Sequence, residues 1–208
     1  MSLTDSQIID LSKRMQIPLG GVFFKDEIKD FDYNKSYFIN MQDSVDEKGQ
    51  MNHGTHWVMF QVNKTPNGTI QPIYFDSYGM PPPQDIKDLV KKKTKLIIPH
   101  TKKDIQSLMN NACGFYCLAM AHYINASKYR TGNLYHDVND FLDIFEDLNH
   151  SVDFKKNEFI LMHFFRSEDP KLRKEIDNIK SIDSIKNESE KGGIDLMKIP
   201  MDIKTINK

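Results

Sequence analysis

Behind Thr4 and Asp5, either of which can cap a helix, Ile8, Ile9, Leu11 and Met15 form an apolar stripe, so the pattern predicts a helix over 4–15. PLGG at 18–21 stops it. KSYFINMQDS reads as a strand running into a loop, and DEKGQMNHG as loop. THWVMFQV at 55–62 has strand composition. KTPNGT adds an Asn-Gly turn and IQPIYFDSYG reads as the partner strand, so a hairpin is expected. Three prolines at 81–83 cannot continue a sheet interior but can lead into a helix through Val90. TKLIIPH reads as one more short strand. GFYCLAMAHYINAS has helical spacing and predicts a buried central helix, VNDFLDIFEDL an amphipathic one, and NEFILMHFFRS a core helix or strand.

This order, with strands grouped and helices following, predicts an α+β fold rather than alternating βαβ units. Beyond Ser167 the apolar density collapses into Lys, Asp, Glu, Ser and Asn. The expected organisation is therefore one domain over 1–167, with a peripheral helix and mobile tail over 168–208. A chain of 208 residues is long enough to bury a real core. A net charge of −1 argues against holding nucleic acid by bulk charge. Locally, 87–103 carries seven lysines against one aspartate, a footprint for a polyanion or, on the plainer reading, a solvated edge. The polar N-terminus lacks the apolar core of a signal peptide, no window approaches a membrane span, and two cysteines cannot build a disulfide framework. A reducing, intracellular setting is expected.

Both cysteines lie in NNACGFYCLAMAHY. Zinc requires about four ligands, usually in two close pairs, whereas here a C-x3-C spacing has only His122 nearby, on a different helical face, so no metal and no cofactor are expected. A disulfide along a regular helix is geometrically poor. A thiol at a helix N-terminus is different, because unpaired amides and the macrodipole favour its thiolate. Cys113 stands where the helix should begin, with Gly114 leaving room for a substrate, and is the candidate nucleophile. Cys117, a turn deeper among Phe115, Leu118 and Ala121, reads as a small core hydrophobe. A nucleophilic thiol needs a base, and the base an orienter. His56 at a strand edge and Asp76 at the end of the partner strand would become cross-strand neighbours if the hairpin forms. Read one at a time, His53 or His56 is loop surface and Asp76 caps a turn; with Cys113 in the same chain the three make a set. The Cys113 amide could hold a developing oxyanion. Gln106, seven residues earlier, could join it, although spacing alone favours a surface glutamine.

The stretch GTHWVMF…IYFDSYGMPPPQDI…Q…NNACGFYC resembles the cysteine proteases of virophages and Polinton/Maverick elements. More distantly, it resembles the adenovirus maturation protease (adenain) family in the clan of ubiquitin-like-protein proteases. The motif match covers about 50–125, and the order of elements extends it weakly to the first helix and PLGGVF. The resemblance implies a papain-like, adenain-like fold, with a sheet hairpin packed on a buried helix that starts at the nucleophile. It also implies the roles of Cys113 as nucleophile, His56 as general base and acid, Asp76 as orienter and Gln106 as oxyanion donor. The implied function is a monomeric endopeptidase that processes viral capsid-protein precursors at the assembly site and in the virion, without a membrane. Activation by DNA or a peptide is left open. Both cysteines already have assignments, so a disulfide-linked activating peptide is not expected. The Gly-Gly in EKGGIDLM raises self-processing beside ordinary linker chemistry. Other readings are a ubiquitin-like-protein deconjugating isopeptidase, an acetyltransferase, and a capsid or DNA-associated protein with a dead site.

Overall fold

The computed structural model describes residues 3–52, 54–107, 110–148 and 155–168. In chain order they form α1 (Asp5–Arg14), β1 (Leu19–Phe24), β2 (Ser36–Asn40), β3 (Trp57–Lys64), β4 (Ile70–Phe75), α2 (Gln84–Thr94), α3 (Cys113–Asn125), α4 (Leu134–Leu142) and α5 (Lys155–Glu168). The strands make one mixed sheet in the order β1-β2-β3-β4, with the first pair parallel and the other two antiparallel. The molecule is thus mixed α+β. The expected tail, with its Gly-Gly, lies outside the described residues, as does His53.

Alternation along β3 explains why its apolar run is unbroken. Trp57 and Met59 join Phe38, Ile73 and Phe75 in a core built with α1, α3, α4 and α5. Val58, Phe60 and Val62 join Tyr37, Ile39 and Tyr74 in a second core, closed by Ile86 and Val90 of α2. Both faces are covered, so neither set of positions needs to be polar. In α3, eleven residues are buried, including Phe115 and Leu118, which is why its apolar positions run all the way round the helix. Truncating such a fully buried phenylalanine costs about 3–5 kcal/mol.

α1 forms as expected. Thr4 Oγ1 accepts from the Gln7 amide at 3.3 Å, and Gln7 Oε1 accepts from the Thr4 amide at 2.9 Å, closing a capping box. Ile8, Leu11 and Met15 are buried, but Ile9 is 48% exposed and leaves the stripe. Four other expectations need correction. PLGG does more than stop α1, because β1 begins at Leu19. Gly20 is tolerated there since a Cβ would sit 2.2 Å from the Tyr37 ring. α2 passes Val90 to end at Thr94, where Lys95 adopts a left-handed conformation as the C-cap. TKLIIPH forms no strand. Only a parallel bridge to β4 exists, in which Pro99 O accepts from Tyr74 N and Thr101 N donates to Tyr74 O. Pro99 has no N–H to extend that ladder. α4 starts earlier and ends sooner than VNDFLDIFEDL suggests, because Asn133 caps it by accepting from the Tyr135 amide. NEFILMHFFRS lies in a helix.

Candidate active site

The β3–β4 register pairs Met59 with Phe75, which brings the head of β3 beside the tail of β4. Extended past the strand ends, it sets His56 opposite Tyr78 and Asp76 opposite Val58. His56 therefore reaches Asp76 diagonally, with Nε2 2.9 Å from Asp76 Oδ1. Facing a carboxylate, Nε2 carries the hydrogen and donates it, which leaves Nδ1 as the nitrogen able to exchange a proton with sulfur. Directly across, the Tyr78 ring stacks on the imidazole, with centroids 4.5 Å apart and planes 20° from parallel.

Two turns hold these side chains in place. Gly54 at φ 80° precedes His56, and a Cβ there would strike Asn40 Nδ2 at 2.0 Å. Asn40 is itself buried, and its Oδ1 accepts from the amides of Gln42 and Thr55. After β4, Asp76 Oδ1 also accepts from the Tyr78 amide at 2.8 Å, and Asp76 O accepts from Gly79 N. Gly79 sits at φ 70° with the Lys102 carbonyl 2.4 Å from where a Cβ would be, so only glycine closes this turn.

Cys113 opens α3, whose N-cap residue, Ala112, offers no side-chain bond to the first amides. The open N-terminus is thus left to the sulfur. Trp57 N donates to Cys113 Sγ at 3.4 Å. Burial disfavours charge on both His56 and Cys113. Even so, the hydrogen bond to Asp76, the nearness of the Cys113 sulfur to an imidazole whose Nδ1 makes no hydrogen bond among the described residues, and attraction to both negative charges push His56 up to about 9 from an ordinary 6.5. Burial raises the thiol as well, but the neighbouring His56 with its positive charge and the amides of Trp57 and Gly114 bring Cys113 below the usual thiol value. Opposite shifts in two neighbouring groups favour a thiolate–imidazolium pair at neutral pH.

No protein-family model matches the chain, and no curated protein matches it.

Of the sequence-predicted set, His56, Asp76 and Gln106 gather around the turn after β4, and Cys113 lies at the head of β3. Gln106 is not a surface residue: it is 1% exposed, and its backbone N bonds to Ser77 O. Ser77 Oγ donates to Gln106 Oε1 at 2.6 Å, which fixes the amide's orientation. Nε2 then donates to Asn110 O at 3.1 Å and to Tyr78 Oη at 3.2 Å. Cys117 Sγ donates to Trp57 O at 3.3 Å, and burial, ahead of the charges of Cys113 and Asp76, lifts it well above the ordinary thiol value.

One expectation fails here. Gly114 does not open space for substrate, because its missing side chain is replaced by Leu3, 3.1 Å from a Cβ position, and by Trp57, 3.3 Å away. The Trp57 indole locks that packing by donating to Leu3 O at 2.8 Å. Sequence alone assigns no role to Asn40, Ser77 or Tyr78. The only signal for the last two was their place in FDSYG, between an acid and a glycine. The lysines of 87–103 are partly committed inside the fold: Lys93 pairs with Asp30 at 2.8 Å, and Lys103 donates to Leu142 O at 2.9 Å.

Proposed function

We propose that this chain is a cysteine endopeptidase of papain-like, adenain-like fold that processes viral capsid-protein precursors. The observation carrying this reading is the Cys113–His56–Asp76 arrangement, in which thiol and imidazole shift each other toward the charged pair. The thiolate adds to a peptide carbonyl carbon, sending the carbonyl π electrons onto oxygen. Gln106 Nε2 and the Cys113 amide receive that oxyanion. Imidazolium Nδ1 gives its proton to the departing amine as the C–N bond breaks. Neutral His56 then takes a proton from water, whose oxygen attacks the thioester carbon and expels Cys113 Sγ. Asp76 holds the ring in register throughout and supports its charge.

The capsid substrates, and any DNA or peptide activator, follow from the motif resemblance. No described helix is long and apolar enough to cross a membrane. The test is incubation of the purified chain with its capsid-protein precursor, with and without DNA, followed by mass spectrometry. New termini should appear with the native protein and not with Cys113→Ala. Identical fragment patterns from the two proteins would reject the assignment.

A further inference from the structure

We propose that Tyr78 is a third donor to the oxyanion, a catalytic residue beyond His56, Asp76, Gln106 and Cys113; this rests on the acyl-transfer reading above. Its hydroxyl oxygen lies 3.2 Å from Gln106 Nε2, the amide assigned to the oxyanion. An oxygen seated about 2.9 Å from that nitrogen, on the side that faces the tyrosine, falls within hydrogen-bond reach of the hydroxyl as well. Among the described residues, Tyr78 Oη only accepts, and its own hydrogen goes to no protein acceptor. The group is half-buried, so it borders the site without being sealed from it. Its aim is set at two points: Asp76 Oδ1 holds its backbone N–H, and His56 holds its ring.

Gln106 alone is poorly supplied for the task. Of its two amide hydrogens, one is directed at Asn110 O inside the protein, and the other at Tyr78 Oη. The tyrosine oxygen therefore occupies, in the resting state, the hydrogen that the oxyanion requires. When the carbonyl oxygen becomes negative, the Tyr78 oxygen gives way to it in front of the Gln106 hydrogen, whose direction Ser77 and Asn110 fix, and Tyr78 turns its free O–H onto the same oxygen. Nothing is oxidised or transferred; one neutral hydrogen bond is exchanged for two charge-assisted ones, each roughly twice as strong. Burial pushes the phenol up to about 12, so it keeps its proton in the working range.

Tyr78→Phe tests this in the full chain, because it retains the ring on His56 and removes only the hydroxyl. Acetyl-glycylglycinal is the probe, since Cys113 adds to its aldehyde carbon to give a thiohemiacetal whose oxygen needs the same donors. Iodoacetamide is the control, since it alkylates the thiolate by displacement and forms no oxyanion. In Tyr78→Phe the aldehyde should bind about 10- to 100-fold more weakly and peptide kcat should fall by about 10²-fold with KM little changed. The rate of alkylation and its pH profile should match the native protein. Equal aldehyde affinities would overturn the Tyr78 role alone. A parallel loss of alkylation would also overturn it, by making Tyr78 a support for the ion pair. A native thiol that alkylates yet ignores the aldehyde would reject acyl transfer and the Tyr78 role together.

Discussion

Cys113 and Cys117 stand one turn apart on α3 and bond to the N–H and the C=O of the same residue, Trp57. Both are buried, yet their thiols move in opposite directions. The difference is what each sulfur receives. Cys113 accepts an amide hydrogen and faces an imidazole tied to Asp76, whereas Cys117 gives its hydrogen to a carbonyl and faces no cation. Burial sharpens whatever partner is present: with a base it produces an ion pair, and without one it keeps the group neutral. Glu158 repeats the second case in a carboxyl. It is 3% exposed, its Oε1 has no hydrogen-bond partner among the described residues, and burial pushes it up to about 8.

The largest effect should come from dismantling the Cys113 side. His56→Ala is expected to lower kcat/KM by about 10⁴-fold, the upper range for a positioned acid–base group, and to flatten the pH profile of thiol alkylation. Asp76→Asn should cost about 10²-fold, because the base remains but loses its fixed tautomer. Steady-state kinetics rank the two, and a larger loss from Asp76→Asn would mean that the carboxylate does more than orient.

On the neutral side, the Glu158 carboxyl binds its proton more tightly folded than unfolded. Its stabilising contribution is therefore complete below pH 4.5 and is lost as pH rises through about 8. The loss is roughly a few kcal/mol. Chemical denaturation at pH 5, 7 and 9 should show it, and Glu158→Gln should remove that slope. An unchanged slope would place the pH dependence elsewhere. The smallest effect belongs to Cys117→Ala, which should lower stability by about 1–2 kcal/mol in thermal melts and leave turnover within a factor of a few. Equal activity losses from Cys117→Ala and Cys113→Ala would erase the contrast between the thiols.

The parts that could be read from sequence were those where local pattern and tertiary role agree. The hairpin was visible because apolar strands flank an Asn-Gly turn, and the hairpin in turn dictates that His56 and Asp76 meet. The division of the cysteines followed from their depth along an apolar helix. What escaped depended on contacts between distant segments. β1 was hidden by a glycine pair whose first member, Gly20, makes sense only beside the ring of Tyr37. Gln106 looked like a surface residue because nothing local announces that Ser77 and Asn110 will close around it. The roles of Tyr78 and Asn40 depend on neighbours 15 to 28 residues away in the chain, which no window of sequence displays.

The seat of Leu3 against Gly114, with its carbonyl held by the Trp57 indole, has a practical consequence. Trimming the chain past that leucine would leave a hole under the first turn of α3 and strip the indole of its acceptor. Leu3 is therefore part of the floor on which the reactive sulfur stands.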